Sequence, residues 1–143
     1  MNSLTIAMLV LMSGAMVSSI PNTNVTQVLC NSNRYTSGDP FGISLAYVLS
    51  DLLTVAPTYK DHNYYNISPY PNAFAYGHAT CVNNLTTGDC SLCLRSAEQQ
   101  MNSTCGMRIG ARSVLVDCAT SVVSMHFQEQ CRQAMYAYCD HDY

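Results

Sequence analysis

The segment CVNNLTTGDCSLC, Cys81 to Cys93, decides how this chain is to be read. Its three cysteines follow a C-x8-C-x2-C spacing, with turn formers between the first two, and that spacing suits a zinc site, a redox pair or a disulfide frame. Structural zinc sites usually draw four Cys or His ligands from two paired motifs. Here Cys90 and Cys93 make one pair, and no second C-x2-C follows. A redox pair has to stay free to exchange, which the crowd of other cysteines opposes. All eight cysteines (30, 81, 90, 93, 105, 118, 131 and 139) lie beyond an N-terminal stretch that reads as an export signal. Ile6 to Met12 is its apolar core, and Val17-Ser18-Ser19 supplies small residues for cleavage before Ile20. An even number of cysteines in a small exported domain implies disulfides. Cys90 and Cys93 share a helical turn, so they can staple one helix to two different strands.

The chain has 143 residues, enough for one domain with a modest core,. Beyond residues 1–19 no apolar run approaches the roughly 20 residues of a membrane span. A formal charge of -3 and few charged side chains give nucleic acid no electrostatic footing,. Ten tyrosines are read first as half-buried strand residues and second as a carbohydrate- or protein-contacting surface,. Asn24, Asn66, Asn84 and Asn102 each open an N-x-[S/T] sequon for glycosylation,.

Outward from the cluster the elements alternate. Val25, Val28 and Leu29 make a short edge strand ending at Cys30. Asp39 is an N-cap with Pro40 at the first helical position. Phe41, Leu45, Val48 and Leu52, widened by Leu49 and Leu53, then form the core stripe of a helix that Pro57 ends. The Tyr-, Asn- and Pro-rich segment that follows predicts a hairpin with a loop at Ser68 to Asn72 and a strand from Phe74 to Cys81. A second helix is expected with Asp89 as its cap and Cys93, Ala97 and Met101 on one face, Cys90 and Leu94 beside them. In the last strands Ile109, Ala111, Ser113, Leu115 and Asp117 are expected on one face. Arg112, Val114, Val116 and Cys118 are expected on the other. Cys131 and Cys139 close a short tail loop. The order β-α-β-β-α-β-β predicts an α+β fold, two helices packed on an antiparallel sheet.

The C-x8-C-x2-C run, preceded by AYGHATC and followed by IGARSVLVDC, with CN and SGDPF upstream, resembles the ginkbilobin-homologous domain of land plants. That stress-antifungal domain occurs in antifungal seed lectins and cysteine-rich secretory proteins. The resemblance covers about Val28 to Val123, a core 28–123 inside a single domain 20–143 with a C-terminal extension 124–143. It implies a five-stranded antiparallel sheet under two helices, with bridges Cys30–Cys105, Cys81–Cys90 and Cys93–Cys118. Cys131 and Cys139 then remain to pair with each other.

Ginkbilobin-type members bind mannose through an Asn after the first cysteine, an Arg in the IGAR segment and a Glu five residues past the last core cysteine. Asn31 and Arg112 match, and both suit a sugar: an amide that donates and accepts, and a rigid fork of donors. The third position is Val123. Losing a charged acceptor removes about 1.5–3 kcal/mol of charge-assisted hydrogen bonding, tenfold or more in affinity. Glu129 is six residues further on. The competing structural roles are a local turn for Asn31, and for Arg112 a pairing with Asp117 or a helix end.

No catalytic constellation, metal set or cofactor motif is read. His62, His126 and His141 have no nucleophile beside them in sequence, and His78 is read as a half-buried strand histidine. Two functions follow from the resemblance. One is a secreted apoplastic defence protein binding mannose or cell-wall mannan through a degenerate site. The other is a non-lectin module contacting an extracellular protein.

Overall fold

Asp39 starts the first helix as its sequence context requires, its carboxylate accepting the Phe41 N–H at 2.9 Å,. The computed structural model describes residues 20–124. The signal segment, Cys131, Cys139, Glu129, His126 and His141 lie outside them. Within them the order is β1 (Val25–Cys30), α1 (Pro40–Val55), two 3-10 turns (Ala56–Thr58 and Lys60–His62), β2 (Asn63–Ile67), β3 (Ala75–Cys81), α2 (Thr87–Cys105), β4 (Gly110–Leu115) and β5 (Cys118–Ser124). The strands form one antiparallel sheet ordered β1-β4-β5-β3-β2. Both helices pack on the same face of it, which places the core between them; among the described residues no helix covers the other face.

The stripe of α1 buries Phe41, Val48, Leu49 and Leu52, while Leu45 and Leu53 are half-buried at its margin. The expectation that no run beyond residues 1–19 approaches a membrane span is corrected: with the following turn, Pro40–Thr58 is 19 residues and apolar enough to cross a membrane by length and composition alone. Its buried side chains pack instead into the core shared with Ala75, Ala79 and Leu94. The chain then reverses through left-handed backbone at Asp61 and His62 (φ 56° and 48°). The His62 ring Nε2 lies 3.0 Å from Leu85 O and anchors this bend.

Two further expectations are corrected. The cap of α2 is Thr86, three residues before Asp89. Thr86 Oγ1 accepts the Asp89 N–H at 3.1 Å, so the acid sits inside the first turn, where its negative charge complements the positive end of the helix dipole,. Such a cap contributes about 1 kcal/mol. The alternation read through Cys118 also breaks. Val116 and Asp117 lie between β4 and β5, and the count restarts after the turn. Cys118 therefore lies on the helix side of the sheet, with Leu115 and Ser113, rather than with Arg112.

Three disulfides close the frame: Cys30–Cys105, Cys81–Cys90 and Cys93–Cys118, with Cα separations of 5.2, 5.8 and 6.0 Å. The first ties edge strand β1 to the end of α2. The other two tie successive α2 positions to β3 and β5. The quoted segment is thus a staple between helix and sheet.

Candidate functional site

Strand alternation puts one set of side chains on the helix-free face, and the cross-strand register aligns them in rows. One row runs Leu29, Arg112, Ser121, His78, Tyr65 across all five strands. The adjacent row runs Gly110, Val123, Tyr76, Ile67. Asn31 extends that second row beyond β1, its N–H donating to Gly110 O at 2.8 Å.

The three positions singled out for sugar binding therefore meet around Gly110. A Cβ there would stand 3.3 Å from Val123 Cγ2 and 3.5 Å from Asn31 Cβ, so glycine keeps a shallow notch between them. Arg112 is two residues along the same strand. Asn31 Oδ1 accepts the Asn33 N–H at 2.8 Å, the local turn weighed against a ligand role. That bond takes one of the two lone pairs of the carbonyl and leaves the second, with the amide Nδ2, to offer,. Val123 is nearly buried and adds no polar atom.

Asp117, considered as a partner for Arg112, accepts instead from the Asn22 N–H at 2.6 Å. The field of Arg112 reaches His78. Burial chiefly, and then this guanidinium, hold the His78 pKa below its usual 6.5,. The His78 ring Nε2 lies 2.7 Å from Asn63 Oδ1, which makes Nε2 the protonated nitrogen of the neutral ring,. Tyr65 stacks on His78 with centroids 3.9 Å apart and planes 6° from parallel, and Tyr76 lies 6.1 Å from Tyr65. Burial, then Tyr65, raises the Tyr76 pKa.

The sign of the pH effect follows from the His78 shift. A histidine held neutral in the fold contributes stability fully present above about pH 6.5. That contribution is lost as pH falls from there through the lower folded pKa, because the unfolded chain takes the proton first. Urea midpoints should therefore decline with acidification in that window, and His78→Gln should flatten that part of the profile. An unchanged slope in the variant would remove His78 as the cause.

The aromatic row was not legible in the sequence. Tyr65, Tyr76 and His78 stood as candidate strand residues, but their assembly depends on β2–β3 register. The only local signal was the alternation of AYGHATC. On the helix side Tyr64 and Asn66 both donate to Asp51 Oδ2, at 2.8 and 2.6 Å, clamping β2 to α1. Burial, then the bond and charge of Asp51, push the Tyr64 pKa up to about 12. The sequon asparagines differ accordingly. Asn24, Asn84 and Asn102 are exposed, whereas Asn66 is half-buried and its Nδ2 is engaged. A separate concavity of about 680 Å³ opens between the end of α1 and the start of α2, lined by Ser50, Thr54, Ser91 and Arg95 among others. It is remote from the sheet face.

Residues 29–125 match the family described as salt stress response/antifungal. The chain is 34% identical over 117 residues to antifungal protein ginkbilobin-2 of Ginkgo biloba, spanning 81% of this chain and 83% of that protein. It is 33% identical over 116 residues to antifungal protein ginkbilobin-like protein 1 of Picea glauca, spanning 80% and 82%. Among solved structures, the tandem DUF26 ectodomain of the Arabidopsis thaliana cysteine-rich receptor-like protein PDLP5 superposes with a TM-score of 0.64 at 19% identity, over 70% of this chain and 49% of that one. The corresponding ectodomain of PDLP8, also from Arabidopsis thaliana, gives 0.60 at 25% identity, over 72% and 45%. The chain spans about half the length of each of those ectodomains.

Proposed function

The chain belongs to the salt stress response/antifungal family, and from that premise we propose that it is an exported, defence-type binding protein whose helix-free sheet face engages a cell-wall glycan. One observation carries this reading: Asn31 and Arg112, distant in sequence, converge beside Gly110 on the face that neither helix covers. The antifungal relatives supply the biological context. Removal of residues 1–19 and pairing of Cys131 with Cys139 belong to the same proposal.

Free mannose is a poor fit to this face. Asn31 Oδ1 has one lone pair already engaged and Val123 offers no acceptor, so a hexose would meet donors from Arg112 and Asn31 with no charged acceptor opposite,. Calorimetric titration with mannose and a mannan oligosaccharide tests this. Wild type is expected to bind mannose weakly, Arg112→Ala not at all, and Val123→Glu about tenfold more tightly than wild type. Binding indifferent to both substitutions would move the site elsewhere. Silence toward wall glycans of every class would favour the protein-contact alternative.

Glycopeptide mass spectrometry should find Asn66 the least occupied of the four sequons. An N-linked chain there would consume the Nδ2 that Asp51 holds in the clamp between β2 and α1,. Full occupancy at Asn66 with an unchanged melting temperature would contradict that role for the clamp.

A further inference from the structure

The charge on the open face is one-sided. Arg112 stands in its central row, and none of the positions directed to that face in the five strands is an acid: Val123, Ser121, His78, Tyr76 and Tyr65 are neutral groups around one guanidinium. At the same end of β4, Arg108 pairs with Arg34 across an isolated bridge, and Arg108 Nη1 donates to Ser32 O at 2.7 Å. The acids near the sheet are committed elsewhere. Asp117 binds the Asn22 N–H, Asp51 holds Tyr64 and Asn66 on the helix side, and Asp39 caps α1. A net-negative chain thus presents, among its described residues, a locally cationic sheet face.

Three strand spacings, about 14 Å, separate Arg112 from Tyr65. That span exceeds one sugar ring and suits a short oligosaccharide. At its far end Tyr65, 52% exposed and backed by the His78 ring, offers a flat aromatic surface to the apolar face of a sugar,. At its near end a guanidinium with no acid beside it among the described residues suits a carboxylate, which it can grip with two parallel hydrogen bonds,. Resting on the glycan reading above, we propose that this face takes a uronic-acid oligosaccharide, with a carboxylate on Arg112 and a neighbouring ring stacked on Tyr65. Valine at position 123 then has a consequence for selectivity: it removes the negative charge that would repel such a ligand.

The test is calorimetric titration of the full disulfide-bonded chain, recovered from a secretory host, with three probes: trigalacturonic acid, its methyl ester and a mannan oligosaccharide. The acid should bind at least about tenfold more tightly than the ester, and the difference should shrink as salt is raised. Arg112→Gln should abolish the acid–ester difference, and Arg112→Lys should keep part of it. Tyr65→Ala should weaken acid and ester alike, and Val123→Glu should weaken the acid while leaving the ester unchanged. Tyr65 is exposed and Arg112 half-buried, and circular dichroism checks that the variants fold. Equal affinity for acid and ester overturns the proposal, as does equally tight binding of polyglutamate, which would mark an acidic-protein surface. Mannan binding without acid binding overturns it and leaves the glycan reading standing. Silence toward all three probes removes both.

Discussion

Replacing Cys30 and Cys105 together by alanine is expected to lower the unfolding free energy by about 4 kcal/mol, the largest loss from any one bridge. The bridge spans 75 residues, against 25 for Cys93–Cys118 and 9 for Cys81–Cys90. In the chain-entropy description those lengths correspond to about 4.5, 3.5 and 2.5 kcal/mol. The loss should also be local. β1 is an edge strand with most of its side chains exposed, held on one side by β4 and to α2 by this bond. Its amides, and that of Asn31 beside Cys30, should exchange before the rest of the sheet. Binding at the proposed glycan face should therefore fail at denaturant concentrations where the core still persists. Denaturant unfolding and hydrogen exchange on the double variants read both effects. Equal losses for the 75- and 9-residue loops would mean that native-state strain, not loop closure, sets the ranking.

The second large effect concerns where α1 touches the sheet. Leu52→Ala should cost about 3 kcal/mol, since Leu52 is fully buried and its removal leaves a cavity as well as a lost transfer term,. Opposite it stands Gly77, at which a Cβ would overlap Val48 Cγ1 and come within 2.7 Å of Leu52 Cδ1. Gly77→Ala alone should then cost about 1–3 kcal/mol through overpacking. Combined, the two should cost somewhat less than their sum, because the alanine methyl enters space that Leu52 vacated while the overlap with Val48 Cγ1 remains,. Simple additivity in urea titrations would show that the overlap with Val48, and not the contact with Leu52, sets the cost at Gly77.

Several features were legible in the residues alone because they are local. Asp39 before Pro40, the 3.6-residue recurrence of Phe41, Val48 and Leu52, and the two-residue alternation of AYGHATC each need only a few neighbours. Caps and periods survive without tertiary context. The cap of α2 was misplaced by three residues because Thr86 and Asp89 are both competent caps. Only the final geometry shows which of them accepts the other's N–H. The face of Cys118 was misassigned because a period of two cannot be carried across a turn.

The site divides in the same way. Asn31, Arg112 and Val123 could be marked from motif positions, since CN and IGAR are contiguous strings. What surrounds them depends on register. Tyr65 meets His78, and His78 meets Ser121 and Arg112, only because β2, β3, β5 and β4 pair in that order and alignment. A slip of one residue would send each of these side chains to the helix face. The α+β class, the helix stripes and the demand for a disulfide frame could be read from the sequence alone, because they rest on composition, cysteine count and local periodicity. Only the tertiary structure shows, among the described residues, a sheet face without a helix on it that carries Arg112 and a row of aromatic rings, and Asp117 and Asn66 held elsewhere. Those are outcomes of contacts between residues far apart in the chain, which no local pattern encodes.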